Sequence, residues 1–296
     1  MMRTPAFYLT ALLAASGLTA CETPADTFPE ESSARAEAAL TSFTFDSTAL
    51  QQRPLGGLPD VRLPLNAFEP AAITSRLIGT QEGFQDLGAI DSRRLLESQT
   101  WHLEADKLRG ELTVLRKVPG GPPSQQDPAL LQKASLDRVK RWGAGAGELG
   151  PAVQRRLMKQ DDNNGDPGQP LVARHKTFIM RAINGVHVEG HRAVITHHLD
   201  GSFHRAYIAW PALSGSGHLL RSQLDIPTIE QRAAAALSAE GESSGPVKLR
   251  WKYVPTRLTT GEVKLTLKVG ARLAAASSLG ITEEAREVDV DVDALP

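Results

Sequence analysis

Five of the chain's eight histidines lie in the run HVEGHRAVITHHLDGSFH, from His187 to His204. Imidazoles at this density suit two chemistries: ligation of a transition metal, or a charge change near neutral pH. Spacing decides which of these is within reach. On an uninterrupted strand, His187, Glu189 and His191 share one face, because side chains alternate with period two. A strand rises about 3.3 Å per residue, which puts the Cα atoms of His187 and His191 roughly 13 Å apart. Zinc bonds are only about 2 Å long, so the two rings would have to stretch toward each other. The helical H-E-x-x-H motif works because i and i+4 meet on one helix face, and this run is not that motif. Gly190 marks a place for a β-bulge, which would switch parity and put Val186 and Val188 with Ala193 and Ile195. One pair survives. If Asp200 and Gly201 form a two-residue turn, His197 faces His204 with about 5 Å between Cβ atoms. The favoured reading is a solvated or half-buried polar pair. A shared metal and a pH-sensitive repulsion are the two sharper alternatives.

Other motifs reduce to structure. Gly145 to Gly150 matches G-x-G-x-x-G, but the charged helical run LDRVKRW precedes it where a dinucleotide site needs a buried strand. Asp161 to Asp166 has the composition of a calcium loop. Counted from Asp162, however, position six is Pro167 and position twelve is Ala173, which excludes an EF-hand. The stripe Glu287, Asp289, Asp291 and Asp293 is expected to pair with Lys248, Arg250, Lys252, Lys264 or Lys268 on neighbouring strands. There is no G-x-S-x-G, and no nucleophile constellation stands out. No cofactor is expected, and no enzymatic activity.

Several elements can be placed from pattern. Asp127 followed by Pro128 caps a helix that should run to about Trp142. Pro151 should open a second short helical stretch, PAVQRRLMK. LVARHKTFIMRAI is rich in β-formers and ends at Asn184-Gly185; the next strand ends at Asp200-Gly201. Both dipeptides signal hairpin turns of type I′. FHRAYIAW is a third strand. Thr228 to Gln231 reads as a capping box before the helix former QRAAAALSA. VKLRWKYV, EVKLTLKV and REVDVDVD then alternate apolar and charged positions. Two strands are expected within 95–118, around Lys107–Gly110.

The 296 residues carry a formal charge of −1 and 23% charged residues, an ordinary globular balance. A near-neutral chain with 5% aromatics offers no electrostatic or stacking case for nucleic acid. The single cysteine is Cys21. Before it stand a basic Arg3, a short apolar run from Ala6 to Ala15, and small residues. That is a secretory signal, too short to span a membrane. Leu18, Thr19, Ala20 and Cys21 resemble the bacterial lipobox. The resemblance implies cleavage before Cys21, lipid attachment there, and a membrane partner reached through the N-terminal lipid.

RAINGVHVEGHRAVITHHLDGSFHRAYIAW resembles the propeptide domain of fungalysin and thermolysin-type peptidases, and the related PepSY domains. Asn184, Gly185, Val188, Gly190, Asp200 and Gly201 occupy the places of those families' turn, strand and D-G signals. The resemblance covers about 170–211. It implies a curved antiparallel sheet packed on a helix, outside the cytoplasm, regulating a peptidase. Nothing else in the chain resembles a peptidase, so any such enzyme is a separate chain. The expected class is therefore α+β, with antiparallel sheets packed on helices in two α-β-β-β units. The expected organisation is a signal over 1–20, a tether over 21–40, a β-rich region of unassigned fold over 41–124, and units over 125–213 and 214–296. The expected function is a non-catalytic, lipid-anchored module of the bacterial cell envelope. It would bind and restrain an unidentified protein partner, such as a peptidase. The alternatives are a structural or assembly lipoprotein and a metal-binding envelope protein.

Overall fold

The computed structural model describes residues 42–52, 68–80, 82–124, 126–160, 162–163, 166–167, 169–213, 222, 224–260, 262–274, 277–278, 281–282 and 286–292. The expected signal, Cys21 and the tether lie outside the described residues, as does Asp293.

Apolar alternation builds the strands. In chain order they are β1 (Phe43–Asp46), β2 (Gln85–Ile90), β3 (Arg93–Glu97), β4 (Trp101–Asp106), β5 (Glu111–Arg116), β6 (Leu149–Lys159), β7 (Leu171–Ile183), β8 (Val186–His197), β9 (Phe203–Ala209), β10 (Gly245–Arg257), β11 (Val263–Leu273) and β12 (Glu287–Asp291). The helices are α1 (Thr48–Gln51), α2 (Pro70–Ala72, continued by a π-helix over Ile73–Ile78), α3 (Pro128–Trp142) and α4 (Ile226–Ala239).

All twelve strands join one sheet, in the order β12-β11-β10-β8-β9-β5-β4-β3-β2; β1 adds to β10, β7 to β8, and β6 to β7. This overturns the expected α+β class with separate antiparallel sheets. Strand outweighs helix, one sheet takes every strand but two short pairs (162–163 with 166–167, and 277–278 with 281–282), and two of its ladders are parallel: β1 on β10 and β8 on β10. β8 is the reason. Its C-terminal half pairs with β7 and β9, while His187 and Val188 pair with Lys252 and Tyr253 of β10. The register with β7 slips between His187 and Arg192, around Gly190 at φ 71°. A left-handed backbone that glycine adopts without a Cβ penalty thus lets one strand serve three ladders.

The second correction is PAVQRRLMK. It is not helical; it forms β6, antiparallel to β7. Its residues favour helix as isolated units, but the thirteen-residue β7 offers a ladder, and tertiary pairing overrides propensity.

Two apolar cores flank the sheet. In one, Val139 and Trp142 of α3 pack with Ile179, Ala193, Ile195, Ala206, Ile208, Leu103 and Val114. Asp127 caps α3 by accepting from the Ala129 amide, and buried Ser135 donates 3.1 Å to Thr177 of β7. In the other, Ile229, Ala233, Ala234 and Leu237 of α4 pack on Val247, Leu249, Leu265, Leu267, Val269 and Val290. The cap of α4 is Asp225, which accepts from the Thr228 amide, not the capping box beginning at Thr228. Among the described residues no helix is long and apolar enough to cross a membrane.

Candidate functional site

The two hairpin turns differ. Asn184 and Gly185 form a two-residue turn, with φ 52° and 78°, between Ile183 and its partner Val186. Asp200-Gly201 does not. Only Gly201 has positive φ, 81°. The His198 carbonyl accepts from the Gly201 amide at 3.0 Å, and the His198 amide donates to Ser202 at 2.9 Å. This is a longer loop, a type I turn closed by a left-handed glycine. Asp200 stabilises it by accepting from the Ser202 hydroxyl and amide, which hold its carboxyl down to about 2.

The longer loop changes only the pair beside it. His197 opposes Phe203 instead of His204, and a bulge then restores the expected register, since Thr196 opposes Arg205. His197 and His204 are therefore not the expected cross-strand pair. His197 lies opposite His175 of β7, and its ring meets Phe203 at 6.4 Å. His204 instead stacks against His198, with ring centroids 4.4 Å apart. Nor is the group solvated, because His197 is only 2% exposed and His204 7%. Burial, then the Arg138, His175 and His198 charges, push His197 down to about 4. Burial and the Arg174, His198, Arg205 and Arg116 charges do the same to His204. His175 Nδ1, His197 Nδ1, His198 Nε2 and His204 Nδ1 have no hydrogen-bond partner among the described residues. Still, among the described residues no group of three or more His, Cys, Asp or Glu is arranged to hold a metal ion. The cluster is a set of neutral rings under surrounding guanidinium charge. The sequence reading omitted His175 and Arg138, which other strands and α3 bring in.

A second polar cluster was also missed. Arg181 and Glu148 are wholly buried, with Arg181 Nε donating to Glu148 Oε2 at 2.7 Å. Trp210 Nε1 donates to the same oxygen at 2.8 Å, and Arg181 Nη1 donates to the Pro211 carbonyl at 2.7 Å. Burial lowers the Arg181 pKa against the opposing pull of Glu148. His191 lies 3.4 Å from Arg181 Nη1, and burial with the Arg181 charge pushes it down to about 3. These bonds tie β7 to Glu148, just before β6, and to Trp210 and Pro211, just after β9, so the cluster braces the sheet. The acidic stripe is matched as expected: Arg250 pairs with Glu287 and Lys268 with Asp291, while buried Lys252 meets Glu189, Glu287 and Asp289. An open cleft of about 910 Å³ beside Asn184 and Gly185 has only His187 and Arg250 as ionisable lining residues, and Arg250 is bound to Glu287.

The remaining feature is an edge. β6 pairs with β7 on one side and with no strand on the other among the described residues. Its register is regular from Ala152 to Leu157. Val153, Leu157 and Met158 are 47%, 37% and 49% exposed. Two other edges are blunted: β2 is bulged at Gly88 with Asp86 bound to Arg94, and at β12 Arg232 donates to the Asp291 carbonyl; the edge strand β1 is only four residues long.

No protein-family model matches this chain. No curated protein is similar to it at a significant level. Among solved structures it is similar to an uncharacterized protein from Eubacterium rectale, at 8% identity over 79% of this chain and 80% of that one, with a TM-score of 0.39. It is also similar to the Bacillus megaterium YpeB C-terminal domain, at 12% identity over 78% of this chain and 99% of that one, with a TM-score of 0.31. At these TM-scores neither likeness carries an argument about this chain's fold or function.

Proposed function

We propose that this chain is a non-catalytic, lipid-anchored envelope module that binds and restrains a protein partner by strand addition at β6. The observation that supports this is the edge itself: eleven residues long, regular over its middle, and bearing exposed apolar side chains. An unpaired edge presents a row of N–H and C=O groups, and an extended partner segment can complete them. The resemblance of 170–211 to PepSY and propeptide domains makes a peptidase the first partner class to test. Anchoring rests on Cys21, and Cys21→Ala is expected to release the protein from the membrane fraction.

The experiment places a photoreactive residue at Val153 in the lipidated chain within its own envelope, with a control at exposed Leu130 of α3. The proposal expects one discrete adduct with another protein from position 153 and none from 130. Equal adducts at both positions, or none at 153, would reject binding at this edge. An adduct with an assembly component instead of a peptidase would keep the edge and reassign the partner.

A further inference from the structure

We infer that the segment added to β6 is an acidic, extended stretch of the partner protein. This rests on the strand-addition reading and gives the partner a chemistry.

β6 and β7 together hold Arg155, Arg156, Lys159, Arg174, Lys176 and Arg181, and neither contains an Asp or Glu. The whole chain carries a formal charge of only −1. Elsewhere on the sheet, several strand cations have a carboxylate partner, as Arg94 has Asp86, Arg250 has Glu287 and Lys268 has Asp291, and strands such as β4, β5 and β12 carry Asp or Glu of their own. Arg181 has Glu148. Arg155, Arg156, Arg174 and Lys176 form no ion pair among the described residues. The register aggravates the imbalance, because Arg155 stands directly opposite Lys176. Like charges facing each other across a ladder are destabilising, and an acid on the next strand would relieve them.

The same charges decide against a second copy. Two β6 strands pairing antiparallel about Arg155 and Arg156 would set guanidinium against guanidinium. Arginines on an edge thus block self-association while leaving room for a chosen partner.

The register also sets an order. Val153, Arg155 and Leu157 lie on one face of the strand, with Gln154 and Arg156 on the other. An antiparallel partner strand, read in its own direction, should present an apolar residue to Leu157, then an acid to Arg156, an acid to Arg155, any residue to Gln154, and an apolar residue to Val153. The motif is apolar, acidic, acidic, any, apolar.

The test uses the full lipidated chain in detergent micelles and three fluorescent seven-residue peptides. They carry this motif with two glutamates, two glutamines or two lysines at the acidic positions. Anisotropy should show the glutamate peptide binding about tenfold tighter than the glutamine peptide, which is what two cross-strand charge pairs together supply. The double variant Arg155→Glu, Arg156→Glu should shift the preference to the lysine peptide without lowering the melting temperature, since both side chains are exposed and an acid at position 155 would face Lys176. Equal binding of the glutamate and glutamine peptides would overturn the charge inference and leave strand addition standing. Absence of binding by all three peptides, together with a positive Val153 adduct, would do the same. Absence of both would overturn the inference and the strand-addition reading together. Binding of phosphatidylglycerol vesicles in place of any peptide would also overturn it, assigning the charge to lipid.

Discussion

Arg181 lies on the buried parity of β7, between Ile179 and Ile183, and Glu148 is the one carboxylate it meets. Removing one member of a buried pair leaves the other charge uncompensated. Glu148→Ala is therefore expected to cost about 3–5 kcal/mol, read from the shift in a urea unfolding midpoint. A cost below about 1 kcal/mol would mean that water reaches the guanidinium. The histidine cluster gives a pH prediction of definite sign. His197 and His204 are held down to about 4 in the folded chain, against 6.5 for an ordinary imidazole. Between those values the unfolded chain binds more protons. Their contribution to stability is therefore complete above pH 6.5 and is lost as the pH falls toward 4. The unfolding midpoint should fall steadily across this window, and His197→Gln should flatten the fall. A midpoint unchanged from pH 7 to 5 would show that these rings are not buried neutral.

At the scale of elements, Gly201 tests the second hairpin. A Cβ there would stand 2.7 Å from Gln126 Oε1, on a backbone at φ 81°. Gly201→Val is expected to cost about 1–3 kcal/mol and to lower the melting temperature by several degrees. The sequence exposed the ends of this hairpin and its register from Arg192 to Thr196, but not the pair beside the turn. Asp-Gly fits both a two-residue turn and a type I turn with a bulge, because both place glycine in the left-handed region. One extra residue in the loop was enough to exchange the neighbour of His197 from His204 to Phe203. The alternating strands were legible where one face is fully buried, as with Val247, Leu249, Trp251 and Tyr253. β6 was illegible for the converse reason: an edge strand with exposed side chains imposes no apolar period, so its helix-forming residues misled. The Arg181–Glu148 pair had one readable trace, an arginine on the apolar parity of a strand. Its partner 33 residues away had none.

For the whole molecule, a long helix followed by strands was legible twice, but α3 precedes four strands and not three, because 149–159 is β6, and the way the strands join was not legible. A bulge at Gly190 lets β8 carry three ladders, so what reads as two units becomes one twelve-stranded sheet with a core for each long helix. One edge of that sheet is long, regular and basic. The most direct test of binding there is amide hydrogen exchange on the full chain, with and without the glutamate peptide. The binding proposal predicts slowed exchange within Ala152–Leu157, with α3 and α4 unchanged. Unaltered exchange in β6 with new protection around Asn184 and Trp251 would place the binding surface in the cleft and contradict the proposal.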